Sequence, residues 1–440
     1  MILEEKISVG VIGIGRIGLP TALAFADKNF NTLGIDINKK LVDSIKNKKY
    51  PLKDEPGFEK IFDKVIKNKK FQVTTDISKI SECNIVILSL PTPTNKQNLP
   101  DYSIILSVVK KLKKNLSPNS IVIIESTVEP GFVEKEIIPI LDGNKKRLQI
   151  GKNLGVIACP ETANPGQILK DFKKVPRFIG GTEKNIVETI SKIYKKVFNP
   201  DVILLENCKT ANAAKLMTNI FRYVNIAMVN ELAVLFEKDK IDIWKVINVS
   251  SKKYNFEPHF PGSGVGGPCL PSNSFQMLNY AQNNNQKLKI LNSSKDVNEE
   301  MPQHVIKLLL DLLKSIKKSI DTTTISILGI AYKPNVKDAQ SSPVIEIIQK
   351  LKQLKVKIKI YDPYFEDENF MSIRTEKNII DCVKNSNAVI IITAHDKFLK
   401  LETTTLNSHM KTPILLDTRG IVNAKKARSN GWIYKGLGRA

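Results

Sequence analysis

The chain has 440 residues, enough for two or three domains. Of these, 42% are apolar and 25% charged, the balance of a folded globular protein rather than a disordered one. No run of 18 apolar residues occurs, and the first residues enter a strand pattern without the apolar stretch of a signal peptide; the sequence predicts no membrane partner and a cytoplasmic location. The net charge of +23 raises nucleic-acid binding. The lysines, however, are spread along the whole chain (Lys110 and Lys111, Lys145 and Lys146, Lys317 and Lys318) with no aromatic-interleaved basic segment. The sequence therefore predicts no nucleic-acid partner, and a positive field suited to collecting small polyanions.

In chain order, residues 7–13 read as a buried parallel strand, followed by a glycine-rich turn and a helix over 19–28. Residues 32–36, 85–90 and 121–125 read as further short apolar strands. Alternation of strand and helix predicts a doubly wound parallel sheet. A long helical pattern without proline runs from 209 to 238, with more helix at 274–283 and 301–318. Such a segment between two α/β units links domains and forms a dimer contact. The first pattern then returns, with strands at 324–329, 356–361, 388–393 and 414–417 and a helix over 344–354. The expected fold is α/β: two Rossmann-like doubly wound parallel-sheet domains joined by a central long helix and a helical dimerisation segment.

Gly13-Ile14-Gly15-Arg16-Ile17-Gly18 sits between the first strand and the first helix and fits G-x-G-x-x-G. Its first glycine permits the tight turn, the second lets backbone approach a pyrophosphate, and the third allows close helix–strand packing. Asp36 ends the second strand, where a carboxylate accepts from a ribose 2′-hydroxyl and repels a 2′-phosphate, so NAD is favoured over NADP. FAD is the other occupant of such a motif. Five cysteines and four histidines form no C-x-x-C or ligand motif, so neither a metal site nor a disulfide framework is expected.

Four glycines stand within eight residues before Cys269, in Pro261-Gly262-Ser263-Gly264-Val265-Gly266-Gly267-Pro268-Cys269. A flexible loop with an incidental buried cysteine is one reading. The other is a nucleophile beside backbone that approaches a ligand closely, activated by a cation or a cluster of amides. Asn212, Lys215, Asn219 and Arg222 are spaced 3, 4 and 3 apart and share one face of the long helix. A polar stripe is commonly a solvated face, but this helix is otherwise too apolar for the surface, which favours a stripe lining a polar site. Glu161 follows Pro160, and Thr127 follows the 121–125 strand at the sheet edge where ligands bind.

These segments together resemble the UDP-glucose / UDP-N-acetylhexosamine 6-dehydrogenase family over the full length. The matching stretches appear in the family's order: 13–18, 91–94, Glu125 to Val128, Pro160 and Glu161, Ala214 to Leu216 with Asn219, 264–269, 329–336, 361–363 and 417–420. Pro165-Gly166 and the run from Asn219 through Arg222 to Ala227 are similar to the N-acetylhexosamine branch. The resemblance implies an NAD-dependent, four-electron oxidation of the C6 alcohol of UDP-ManNAc or UDP-GlcNAc to the uronate, feeding surface polysaccharide or glycan synthesis, in a homodimer. It implies a domain for NAD at 1–205, a central helical domain at 206–320 and a UDP-sugar domain at 321–440. By the same resemblance Cys269 attacks the intermediate aldehyde, forming a thiohemiacetal and then a thioester. Lys215 and Asn219 stabilise the C6 oxyanion, and Glu161 and Thr127 position or relay a proton through water. Pro91, Thr92 and Thr127 join Gly13, Gly15, Arg16, Ile17, Gly18 and Asp36 around the cofactor. Glu161, Lys215, Asn219, Arg222, Gly264, Gly266, Tyr332, Lys333 and Arg419 contact the substrate.

The chain departs from the family at several points. Asn273 stands where an aspartate is usual, which bears on the water that hydrolyses the thioester. Pro268, Thr162, Lys337 and Gln340 replace a histidine, an arginine, an acid and an arginine. Three other readings stay open: a UDP-glucose 6-dehydrogenase, a two-electron hydroxyacid dehydrogenase sharing the first domain, and a nucleotide-sugar binder whose catalysis has decayed.

Overall fold

The computed structural model describes residues 7–95, 97–142, 147–198, 201–401 and 403–439; residues 1–6 and the Lys145 and Lys146 pair lie outside them. The chain divides into two compact units, 1–218 with 275–286, and 219–274 with 287–440.

The first unit is built on an eight-stranded sheet. Its strands are β1 (Ser8–Ile12), β2 (Asn31–Ile35), β3 (Phe71–Thr74), β4 (Ile85–Leu88), β5 (Ser120–Ile124), β6 (Leu154–Ala158), β7 (Arg177–Gly181) and β8 (Val202–Leu205). Their order is β3-β2-β1-β4-β5-β6-β7-β8. All pairs are parallel except β6 with β7, which the sequence pattern does not announce. Strands β4, β5 and β6 are buried along their whole length, as expected of central parallel strands covered by helices on both faces. One face carries an aromatic cluster of Phe25, Phe58, Phe172, Tyr194 and Phe198; the other is packed by Val109, Leu112, Phe132 and Leu141. The strand order reverses between β1 and β4, the switch point where such sheets bind ligands.

The second unit holds a five-stranded parallel sheet of β9 (Thr324–Leu328), β10 (Lys357–Tyr361), β13 (Ala388–Ile391), β14 (Ile414–Asp417) and β15 (Ile433–Gly436), ordered β10-β9-β13-β14-β15. A small antiparallel pair, β11 (Asn369–Phe370) with β12 (Ile373–Arg374), is inserted after β10. This order places the second switch point between β9 and β13.

The long helix spans Cys208–Lys238. The helix expected at 301–318 instead runs over Lys289–Ser315, straight through Pro302. Burial of Met301, Val305, Ile306, Leu308 and Leu309 offsets the backbone hydrogen bond that the proline cannot make. The helix expected at 274–283 begins four residues earlier, at Leu270, because Pro271 falls in a first turn that has no intrahelical use for its N–H. No helix among the described residues is long and apolar enough to cross a membrane.

Candidate active site

In the first unit, the glycine motif forms the turn between β1 and the helix Gly18–Asp27. A Cβ on Gly13 would stand 2.5 Å from the Ser89 carbonyl oxygen, and one on Gly18 would stand 1.9 Å from the Gly13 oxygen, so close packing fixes both residues. A Cβ on exposed Gly15 would meet no atom within 4 Å, which leaves room for a phosphate against the backbone. Ile17 stands directly before the helix, where its carbonyl accepts the Thr21 N–H (3.0 Å), and Arg16 is held by Asp54 at 2.6 Å. Asp36 takes the Ile14 N–H (3.0 Å) and the Asn38 N–H (2.8 Å) and stays partly exposed, poised for a ribose hydroxyl. This arrangement fits NAD.

Beside it, the Thr127 carbonyl accepts from Thr92 Oγ1 (2.7 Å) and from Gln276 Nε2 (3.2 Å), and Pro91 lies exposed next to Thr92. Glu161 is 8% exposed. Its carboxylate takes the N–H groups of Thr162 (2.7 Å) and Ala163 (2.6 Å) and pairs with Arg177 (2.5 Å). Arg177 is itself buried, its guanidinium against the edge-to-face pair of Phe172 and Phe198, at 4.8 and 4.7 Å from the ring centroids. Three donors on one carboxylate hold Glu161 in a single orientation. Next to this pair, Glu125 at the end of β5 is fully buried and accepts from Thr21 Oγ1 at 3.1 Å. Burial, followed by the charge of Glu161, pushes Glu125 up to about 7.

Along the polar stripe of the long helix, exposure rises with residue number. Asn212 is fully buried, Lys215 is 8% exposed, Asn219 is half-buried and Arg222 is exposed. The Asn212 amide has no hydrogen-bond partner among the described residues, unusual for a buried polar group.

In the second unit, Asn219 Nδ2 donates to Asn273 Oδ1 (2.5 Å), and the Asn273 N–H donates to the Cys269 carbonyl (2.9 Å). Asn273 therefore supplies the acceptor that an aspartate would, without the charge. Cys269 immediately precedes the helix Leu270–Asn283, at its positive end. It is exposed, whereas Cys83, Cys159, Cys208 and Cys382 are buried, and burial pushes their thiols up to about 12. The glycines before it serve packing against protein. A Cβ on Gly266 would stand 2.5 Å from the Ser341 carbonyl oxygen, one on Gly267 would stand 2.5 Å from the Tyr332 ring, and Gly264 lies against Asn298 and Pro302. Arg419 backs onto Gly262, where a Cβ would stand 2.3 Å from Nη1. Lys333, next to Tyr332, is half-buried.

Three family models cover most of the chain: the NAD binding domain of the UDP-glucose/GDP-mannose dehydrogenase family over residues 7–198, its central domain over 209–300 and its UDP binding domain over 326–424. The chain belongs to the UDP-glucose/GDP-mannose dehydrogenase family. It is an NAD-dependent UDP-sugar dehydrogenase. It is 30% identical to the UDP-N-acetyl-D-mannosamine dehydrogenase of Pyrococcus horikoshii over 98% of this chain and 99% of that one. It is 29% identical to the UDP-N-acetyl-D-glucosamine 6-dehydrogenase of Salmonella typhi, over 96% and 98%. The solved structure of the Pyrococcus horikoshii UDP-D-ManNAc dehydrogenase superposes with a TM-score of 0.92 at 28% identity, over 98% of this chain and 99% of that one.

Several residues of this dehydrogenase around the candidate positions escaped the sequence. Arg177 lies outside any spacing rule, Glu125 stands in a matching stretch but without a role of its own, and Gln276 reads as one more helical position. Asp54 and Glu55 precede a helix unremarkably, yet Asp54 anchors Arg16, and Glu55 takes the Gly166 N–H at 2.5 Å. A signal was available for Asp362: like Asp36, it stands directly after the second strand of its sheet.

Proposed function

We propose that this dehydrogenase oxidises the C6 alcohol of a UDP-N-acetylhexosamine, UDP-ManNAc or UDP-GlcNAc, to the carboxylate, with Cys269 as the covalent nucleophile. The observation that carries this reading is the exposed Cys269 at a helix N-terminus, in a chain whose four other thiols are buried. Full-length similarity to dehydrogenases named for these two sugars supports the substrate class. NAD, bound twice per sugar, would supply the oxidant, taking up one hydride from C6 on each occasion. Cys269 adds to the C6 aldehyde and carries it as a thiohemiacetal, then as a thioester, until water releases the acid. Lys215 and Asn219 stabilise the oxygen that becomes negative at C6. Thr127 and Glu161 position the reacting alcohol and water, with the Glu161 carboxylate held in place by Arg177. Arg222, Tyr332, Lys333 and Arg419 hold the nucleotide sugar, while Gly264 and Gly266 shape the loop beside them by close packing.

In this reading, residues 1–205 serve NAD, 206–320 form the central helical domain and 321–440 serve the nucleotide sugar. The enzyme works in the cytoplasm as a homodimer. Met217, Phe221, Met228 and Leu235, spaced 4, 7 and 7 apart, form an exposed apolar stripe on the long helix that suits a helix-to-helix contact between two copies.

The test is NADH formed per sugar consumed, with UDP-ManNAc, UDP-GlcNAc and UDP-glucose offered separately. A yield near two with one acetylated sugar is expected. A yield near one would overturn the covalent route, and no NADH from either acetylated sugar would overturn the substrate.

A further inference from the structure

The two units carry the same device at their switch points, open in one and closed in the other. In the first, Gly13 follows β1 and its N–H bonds to Ile35 O at the end of β2 (2.8 Å); the next residue, Asp36, takes the Ile14 N–H. In the second, Gly329 follows β9 and its N–H bonds to Tyr361 O at the end of β10 (2.8 Å); the next residue, Asp362, takes the N–H groups of Ile330 (2.7 Å) and Ala331 (3.1 Å). The difference comes from the third strand of each switch point. After β4 the first unit places Pro91 and Thr92, and Asp36 stays partly exposed. After β13 the second unit places His395, and both His395 and Asp362 are fully buried.

The hydrogen bonds define the His395 tautomer. The Asn335 N–H can only donate, so Nδ1 accepts from it (2.9 Å), and Nε2–H donates to Asp362 Oδ2 (3.1 Å). Asp362 Oδ1 takes the Tyr364 N–H at 2.9 Å. Thr393 Oγ1 donates to Ala331 O (2.6 Å), and Asn335 Oδ1 accepts the Asp396 N–H (3.1 Å). The loop 329–335 is thus held at both ends by residues that follow β10 and β13. It carries Lys333, and its Tyr332 ring lies against Gly267, two residues before Cys269.

A carboxylate after the second strand is what a nucleotide fold uses to hold a ribose. The geometry points to His395 as a specificity and positioning residue: by occupying Asp362 it withdraws that carboxylate from ribose binding, and it presets loop 329–335 in the shape that receives the uridine nucleotide. Asp362 accepts three backbone N–H groups and one imidazole N–H without access to solvent, and so offers nothing to a sugar hydroxyl. Dinucleotide recognition through this acid is left to the first unit. The second unit takes its ligand on backbone and side chains whose ordering cost is met before the ligand arrives. The inference rests on the reading of residues 321–440 as the nucleotide-sugar domain.

UDP is the probe. In the unliganded wild-type enzyme, hydrogen exchange at the amides of Ile330, Ala331 and Asn335 is expected to be as slow as in β9. His395→Ala is expected to weaken UDP binding about tenfold or more and to raise the nucleotide-sugar KM. Its NAD affinity, set in the first unit, stays unchanged and so reports an intact fold. His395→Gln, which can still donate to Asp362, recovers part of the loss. Amides that exchange within seconds until UDP is added would overturn the proposal on the wild-type protein alone. So would a His395→Ala variant that binds UDP as the wild type does, or one that loses NAD and UDP affinity equally. A wild-type enzyme that fails to bind UDP would overturn the nucleotide-sugar reading and this role with it.

Discussion

Glu125 and Glu161 share one buried cation. Glu161 takes the direct ion pair with Arg177, and Glu125 is left beside it with hydrogen bonds from hydroxyls. The physical consequence is a proton that Glu125 holds up to about 7, against 4.5 for an ordinary glutamate. A raised folded-state value means that the native state binds this proton more tightly than the unfolded chain does. The contribution to stability is complete below the ordinary value and is lost as pH rises through the folded one. The unfolding free energy of the wild type should therefore fall between about pH 5 and pH 8, and Glu125→Gln should flatten that slope in urea titrations. At Cys269, replacement by serine should lower uronate formation about a thousandfold or more, because a hydroxyl lacks a thiolate's reactivity; single-turnover product analysis measures it. Asn273 keeps the hydrogen bond from Asn219 but cannot take a proton from water. Asn273→Asp should raise the rate of thioester hydrolysis about tenfold or more in the same assay. Glu161, Lys215, Asn219 and Cys269 could be proposed from the sequence because they stand in ordered motifs. Arg177 could not, because its partnership depends on β7 turning antiparallel to β6.

At the scale of elements, the long helix presents different faces along one continuous rod. Its polar stripe passes from buried Asn212 to exposed Arg222, while Met217, Phe221, Met228 and Leu235 form an apolar stripe open to solvent. In the homodimer proposed above, this stripe is the contact between the two copies. Phe221→Asp should weaken self-association about a hundredfold, measured by sedimentation at falling protein concentration, without lowering the helix content. The helix over Lys289–Ser315 shows how tertiary packing overrides a local rule. Pro302 cannot bond to the Asn298 carbonyl, and Gly264 packs close to that oxygen, where a Cβ would stand 2.9 Å away.

For the whole molecule, the charge of +23 meets two anionic ligands, a dinucleotide and a nucleotide sugar. A positive surface attracts them over a distance that salt shortens. Raising ionic strength from about 0.05 to about 0.5 M should lower kcat/KM for the nucleotide sugar several-fold while kcat at saturation holds; initial rates at the two salts measure it. A matching fall in kcat would place the salt effect on the chemistry instead.

The amino-acid sequence by itself determined the two strand–loop–helix repeats, the glycine turn with its acid at Asp36, and the cysteine that alone stands in a glycine-rich setting. Each of these is written locally, in the period of apolar residues or in backbone that only glycine fits. Tertiary structure decided how those pieces are used. It assigned the glycines before Cys269 to packing against Tyr332 and Ser341, a contact spanning more than sixty positions of chain. It paired Glu161 with a buried arginine and left Glu125 to hold a proton. It closed His395 over Asp362, so that two loops of one design face their ligands differently. Pairings of this kind depend on strand order and on which residues share a buried volume, and neither is encoded in any stretch of sequence short enough to be read as a pattern.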